Sequence, residues 1–394
     1  MINKINIAFL MHGARNIGGG EESIFLLIKN LNHELYQPIV LYVQENRIIR
    51  KIKQGGISTI HVPLNEHIIS LYRDKISYNP IHIIAYLYHI LKSVIIIKKI
   101  IVKQNIDLIH PHDNLSKIIA GLSAKLAGVK VVAHCRDLLG RLFIEKLLLY
   151  YQIIFMDAII AVSESNKNLF KFGGKISPKV QVIYNSIDLE KCKMESNLPA
   201  NILDDEESNF VIGIIGVFDQ IKGHIYLFEA IKMLVYSGYK KITCLVIGDG
   251  REKNELFNWV KENDLINNIK FIGYRQDIPA CLKSIDVLVI PSIQESFPRV
   301  ALEAMVMEVP VIGSSVGGIP EAVLHNKTGF IVAPKDPSAI KSAIEKFIKS
   351  PELIKKMGLA GNRRCREKFT MNTNVKETER IYNKLIRKII ENNI

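Results

Sequence analysis

Residues 291–320 read PSIQESFPRVALEAMVMEVPVIGSSVGGIP, and this stretch decides the fold. An apolar run, Ile285 to Ile290, precedes it and predicts a buried strand that ends at Pro291. A short loop then delivers Glu295. Ser296 is placed to cap a helix, and Pro298 fits a first turn, where its missing N–H is not needed. The predicted helix carries Arg299, Val300, Glu303 and Met305 and stops near Pro310. A second strand, Val309 to Gly313, and a Gly317-Gly318 turn follow. One carboxylate therefore sits on a loop at a strand's C-terminal end, and a second sits on the adjoining helix. The helix N-terminus favours an anion there, because its first N–H groups are unpaired and its dipole is positive. Arg299 and Glu303 are four apart, so an ordinary solvated helical pair also accounts for them.

The same strand–loop–helix rhythm runs through the chain. Residues 5–11 (INIAFLM) predict a strand, followed by Gly18-Gly19-Gly20-Glu21-Glu22 and a helix with Ile24, Leu27, Ile28 and Leu31 on one face. This glycine loop is neither a dinucleotide fingerprint nor a P-loop. Further strands are predicted at 38–43, 57–62, 106–113, 129–137, 158–165 and 180–188. His110 and His112 end the strand at 106–113; His134, Arg136 and Asp137 end the next. The two histidines read as polar lining, since nothing nearby completes a metal site. From about Cys192 to Asn209 the chain turns acidic and polar around Pro199, which reads as a linker. A second series of strands then begins at Phe210, with Lys222-Gly223-His224 after its first strand. Val375 to Ile390 predicts an amphipathic helix that must bury Ile381, Tyr382, Leu385, Ile386 and Ile389.

Composition agrees with two α/β domains: 394 residues, 48% apolar and 23% charged. Five scattered cysteines without Cys-x-x-Cys predict a reduced, cytoplasmic protein. The N-terminus reads as a strand and not a signal peptide, and no apolar run is long enough to span a membrane. Net charge is +13, concentrated in residues 1–200, which hold 25 Lys and Arg against 15 Asp and Glu; residues 201–394 hold 27 against 24. That field suits phosphorylated substrates or an anionic membrane surface. Nucleic acid is not expected, since no nucleic-acid-binding motif is present. Ile83 to Val102 is isoleucine-rich, with Lys92, Lys99 and Lys103 along one side. It reads either as a sheet-packing helix or as a peripheral membrane face, and so does Leu138 to Met156.

Strands of two doubly wound domains should place their C-terminal ends around a ligand cleft. At this point the chain resembles the family-4 retaining glycosyltransferases of the GT-B fold, two Rossmann-like domains facing a central cleft. The landmarks occur in the family's order: Gly19-Gly20-Glu21, IDLIHPH (106–112), AVSES (161–165), VIYNSID (182–188), IGVFDQIKGH (215–224), VIGDG (246–250), FIGYRQDI (271–278), VLVIPS (287–292), the pair Glu295 and Glu303, GGIPEAV (317–323) and TGFIVAP (328–334). The resemblance implies an N-terminal acceptor-binding domain at 1–195, a linker at 196–209, a C-terminal nucleotide-sugar domain at 210–374, and a terminal helix at 375–394 packing back on the first domain.

It also implies roles. Glu295 would contact the donor sugar, Glu303 the ribose, and Lys222 the diphosphate, with the N–H groups around Phe297 and Val300 and the side chain of Arg299. Gly19 and Gly20 would close on the donor, and Gly273 and Tyr274 would lie near the base. Arg136, Asp137, His110 and His112 would face the acceptor. The donor would be a nucleoside-diphosphate sugar and the acceptor a glycan or lipid-linked glycan. No cofactor and no metal are expected, as the chain has no Asp-x-Asp. Two positions depart from the family: Val217 where an arginine is usual, and Arg136 where a histidine often precedes the aspartate.

Overall fold

The computed structural model describes residues 4–12, 19–64, 80–136, 143–189 and 210–392. The expected linker at 196–209, Asp137 and the loop calls at 65–79 and 137–142 lie outside them. The chain divides into two units, residues 1–184 with 371–394, and residues 185–370.

In the first unit, β1 (Ile5–Met11), α1 (Gly19–Asn30), β2 (Tyr36–Tyr42), α2 (Arg47–Gln54) and β3 (Ser58–His61) form one half of a parallel sheet with its helices. Then α3 (Pro80–Lys103) crosses to β4 (Leu108–Pro111), followed by α4 (Asn114–Ala127), β5 (Lys130–Cys135), α5 (Phe143–Phe155) and β6 (Ala158–Ala161). A short helix α6 (Glu164–Asn168), a small hairpin of β7 (Lys171–Phe172) and β8 (Lys175–Ile176), and β9 (Val180–Val182) complete it. The strand order is β3-β2-β1-β4-β5-β6-β9, with every pair parallel. The order reverses direction between β1 and β4, and ligands of doubly wound sheets bind outside the strand ends at such a point.

Two hydrophobic cores flank this sheet. One holds Val94, Ile97 and Ile101 of α3, Ile119 and Ala124 of α4, and Leu149 of α5. The other holds Ile24, Leu27 and Ile28 of α1, Ile48 and Ile52 of α2, and Val375, Ile381 and Tyr382 of the C-terminal helix, Met371–Asn392. That helix starts four residues earlier than its apolar pattern indicates, and it belongs to the first unit.

The second unit repeats the plan. Its elements are β10 (Phe210–Ile215), α7 (His224–Tyr236), β11 (Ile242–Ile247), α8 (Lys253–Glu262), β12 (Ile269–Gly273), α9 (Ile278–Lys283) and β13 (Val287–Ile290). After these come α10 (Arg299–Val306), β14 (Val311–Ser314), α11 (Ile319–Ala322), β15 (Gly329–Val332), α12 (Pro337–Lys349) and α13 (Glu352–Lys368). The order is β12-β11-β10-β13-β14-β15, all parallel, so the reversal lies between β10 and β13. Residues 185–189 group with this unit, ahead of the expected linker, because Ile187 pairs with the end of α13: its N–H donates to the Phe369 carbonyl at 3.0 Å.

Candidate active site

At the reversal point of the second sheet, β10 and β13 end side by side, and their loops deliver Lys222 and Glu295. A single 3-10 turn, Gln220–Lys222, follows β10; the Asp219 side chain accepts from the Ile221 N–H at 3.2 Å. The Ile293 N–H donates to the Ile221 carbonyl at 2.7 Å, which ties the two loops together. Gly223 adopts φ +68°, and a Cβ there would overlap the Pro291 carbonyl, so only glycine allows this approach. Gly317, at φ +53°, lies equally tight against the Glu295 carbonyl, while the Gly318 N–H donates to that oxygen at 3.2 Å. Held this way, Lys222 Nζ donates to Glu295 Oε2 at 2.6 Å. Glu295 is only 13% exposed and Lys222 30%, so the pair is partly shielded from water.

The helix after Glu295 departs from its predicted start. Ser296 was expected to cap it, but the cap position is Pro298 and α10 begins at Arg299. Proline brings no capping side chain, so none satisfies the first-turn N–H groups. Along α10, Arg299 Nη2 and Glu303 Oε1 lie 3.7 Å apart, one turn of helix from each other. Phe297 is buried, with its ring edge-on to Phe369 at 5.5 Å. Only its main chain can therefore serve a ligand. Gly273 ends β12, and its carbonyl accepts from the Gly248 N–H at 2.9 Å; Tyr274 beside it is exposed. Val217 is exposed after β10.

Two polar groups near this pair carry no residue-level sequence signal. His224, the first residue of α7, is buried, and neither ring nitrogen has a hydrogen-bond partner among the described residues. Burial, with a smaller contribution from the Lys222 cation, lowers its imidazole to about 4. Ser292 Oγ, at the end of β13, is likewise buried without a partner.

The reversal point of the first sheet gathers a different set. His12 follows β1, and its Nδ1 lies 2.8 Å from both Asp113 Oδ2 and Ser116 Oγ. Asp113 caps α4 by accepting from the Ser116 N–H at 2.9 Å. Burial alone would raise its carboxyl, but His12 and the Ser116 hydrogen bonds outweigh it and hold the group well below the carboxylate range. Arg136, after β5, donates from Nη1 to the Gly20 carbonyl at 2.6 Å, and His112 lies against Gly20. So Gly20, His112 and Arg136 do meet, as expected of acceptor-side and loop residues; Gly19 starts the same helix turn. Lys117 is almost wholly buried here, with Nζ donating to Asn114 Oδ1 at 3.1 Å.

His110 requires a correction. It was expected to line the acceptor side, but it is fully buried. Its Nδ1 lies 2.5 Å from the Tyr382 hydroxyl, and its Nε2 lies 2.6 Å from His134 Nδ1. Both nitrogens are engaged, so no ring atom remains for a substrate. Burial first, and the Arg136 cation second, push His110 and His134 well below the usual histidine range and bring His112 down to about 3. Neutral His110 donates through one nitrogen and accepts through the other, so the Tyr382–His110–His134 chain runs in one direction. No cluster of three or more His, Cys, Asp or Glu side chains among the described residues is arranged to hold a metal.

Two parallel α/β units, each with polar side chains collected at its reversal point, define a GT-B-type glycosyltransferase architecture. Residues 17–191 match the model for Glycosyltransferase Family 4, and residues 199–364 match that for Glycosyl transferases group 1. The chain belongs to this glycosyltransferase family. The UDP-Gal:alpha-D-GlcNAc-diphosphoundecaprenol alpha-1,3-galactosyltransferase of Escherichia coli is 27% identical, over 72% of this chain and 76% of its own. The capsular polysaccharide biosynthesis glycosyltransferase CapM of Staphylococcus aureus is 33% identical, over 58% of this chain and 62% of its own. The Anabaena protein HepE, solved in complex with UDP-glucose, matches with a TM-score of 0.79 at 21% identity, covering 97% of this chain and 100% of that one; this likeness bears on fold alone.

Proposed function

We propose that the protein transfers a glycosyl group, with retention of configuration and without a metal, from a nucleoside-diphosphate sugar to a hydroxyl of a lipid-linked glycan. The observation that carries this reading is the Lys222–Glu295 contact of 2.6 Å at the reversal point of the second sheet, beside the start of α10. Breaking the bond from the sugar carbon to phosphate moves an electron pair onto a diphosphate oxygen. An ammonium group and helical N–H groups already in place stabilise that charge without reorganisation. Lys222 would turn part of its donor capacity from Glu295 to the diphosphate, leaving a Glu295 oxygen for the sugar. Glu303 would accept from the ribose hydroxyls. The acceptor oxygen bonds to the same face of the sugar carbon, and its proton passes to the leaving phosphate, so no separate protein base is needed. A lipid-linked acceptor is supported by the relatives, one of which is named for a diphosphoundecaprenol substrate.

Val217 favours a second reading, a nucleotide-sugar-binding protein without transfer, because it leaves an apolar side chain exposed where the family usually has an arginine. One experiment separates the two. Purified protein and Glu295→Ala are given UDP-, GDP- and ADP-sugars, with and without membrane lipid extract, and nucleotide release is measured. Release from one donor, raised by lipid and lost in the variant, is the expected result. A donor that raises Tm but is never turned over would establish the binding protein instead.

A further inference from the structure

The outer face of the α3–α4–α5 layer has a composition that the transfer reaction does not use. Every exposed large apolar side chain in the described part of the first unit, Leu35 excepted, lies on these three helices. On α3, Ile84, Tyr88, Leu91, Ile95 and Val102 recur at helical spacing and make one stripe, more than half exposed at each position. The opposite side of the same helix, with Val94, Ile97 and Ile101, packs into the core. Lys92, Lys99 and Lys103 follow one edge of the stripe and are exposed, and α3 contains no acidic residue. On the same layer, Leu147 and Ile154 of α5 continue the exposed apolar surface. A helix paired only with its own sheet needs one apolar side; this one has two, separated by a lysine edge.

We propose that this face seats on an anionic lipid bilayer, with the α3 stripe in the headgroup–acyl boundary and the lysine edge against lipid phosphates. Two features favour lipid over a second copy of the chain. An isologous contact would set the same lysine edge against itself with no carboxylate on α3 to compensate. An anionic surface neutralises the lysines and accepts the apolar stripe at once, which is the pattern of an interfacial helix. No helix among the described residues is long and apolar enough to cross a membrane, so the contact is a surface one.

The test is co-sedimentation of the full chain with vesicles of phosphatidylcholine alone, or of equal parts phosphatidylcholine and phosphatidylglycerol. No nucleotide sugar is present, so the outcome is independent of the transferase reading. Two triple variants accompany the wild type: Lys92→Ser/Lys99→Ser/Lys103→Ser and Ile84→Ser/Leu91→Ser/Ile95→Ser. The wild type should bind only the anionic vesicles, less tightly at raised salt. The lysine variant should bind on the order of 100-fold more weakly, and the apolar variant should not sediment. Both should keep the wild-type circular dichroism, since all six side chains are on the outer helix surface. Equal binding to both lipids, no binding to either, unchanged binding by both variants, or a wild-type dimer that the apolar variant dissociates would each overturn the proposal.

Discussion

Lys222 and Glu295 are 73 residues apart in sequence and in direct contact, which makes their pair the sharpest point at which to test the chemistry. Truncating Lys222 to alanine removes the cation that would meet the departing phosphate. Loss of one preorganised charge donor typically lowers kcat by about 100- to 1,000-fold. Stability should change little, by about 1 kcal/mol or less, because a partly exposed ion pair contributes only modestly. Single-turnover nucleotide release beside urea unfolding checks both halves; a Lys222→Ala protein with undiminished release would remove Lys222 from the mechanism. The residues of this pair were legible in the sequence because each follows an apolar strand directly and belongs to a local strand–loop–helix pattern. His224 was not, since a histidine opening a helix after glycine gives no sign that both its nitrogens are buried and unpartnered. Lys117 was not either: one turn after Asp113, it reads as a solvated helix lysine until the fold encloses it.

At the level of elements, the C-terminal helix shows where local patterns stop being informative. Its apolar face is plain in the sequence, but not the polar partners that fix it. The Asn32 N–H donates to Glu379 Oε1 at 2.8 Å, the Tyr36 hydroxyl donates to Asn383 Oδ1 at 2.8 Å, and Asn374 Nδ2 donates to the Tyr184 carbonyl at 2.7 Å. The Tyr382 hydroxyl meets His110 across 272 residues of sequence, a distance no periodicity reads. These bonds place the helix against the strands that end in His112 and Arg136. Tyr382→Phe keeps the ring and its packing but leaves His110 Nδ1 buried without its partner. The expected cost is about 1–3 kcal/mol, the penalty of an unsatisfied buried polar group, read as a lower urea midpoint with an unchanged m-value. An unchanged midpoint would mean that the hydroxyl contributes nothing to the docking of this helix. Helix α10 gives the complementary lesson. Its sequence located the helix correctly but set the cap at Ser296, because capping preference is local and the loop here is shaped by Gly317 and Gly318 packing on Glu295.

Across the whole molecule, the two units differ in how they hold histidine, and this predicts a difference in acid stability. The first unit encloses His110, His112 and His134, all kept neutral by burial and by the facing cations Arg136 and Lys117; the second encloses His224 alone. Each has a folded-state pKa below its unfolded value of about 6.5. Between those two values the unfolded chain binds more protons than the folded one, so stability is full above pH 6.5 and falls as pH drops below it. Asp113 is held below the carboxylate range and titrates outside this window. Taking pH from 7.5 to 5.5 should therefore cost the first unit up to about 4 kcal/mol and the second about 1 kcal/mol. The chain supplies its own reporter, because its single tryptophan, Trp259, lies in the second unit on α8, with its ring 6.1 Å from Phe228. In urea at pH 5.5, circular dichroism should begin to fall before Trp259 fluorescence changes; at pH 7.5 the two curves should lie closer together. Curves that shift equally with pH, or a tryptophan signal lost first in acid, would show that the buried histidines of the first unit do not set its stability.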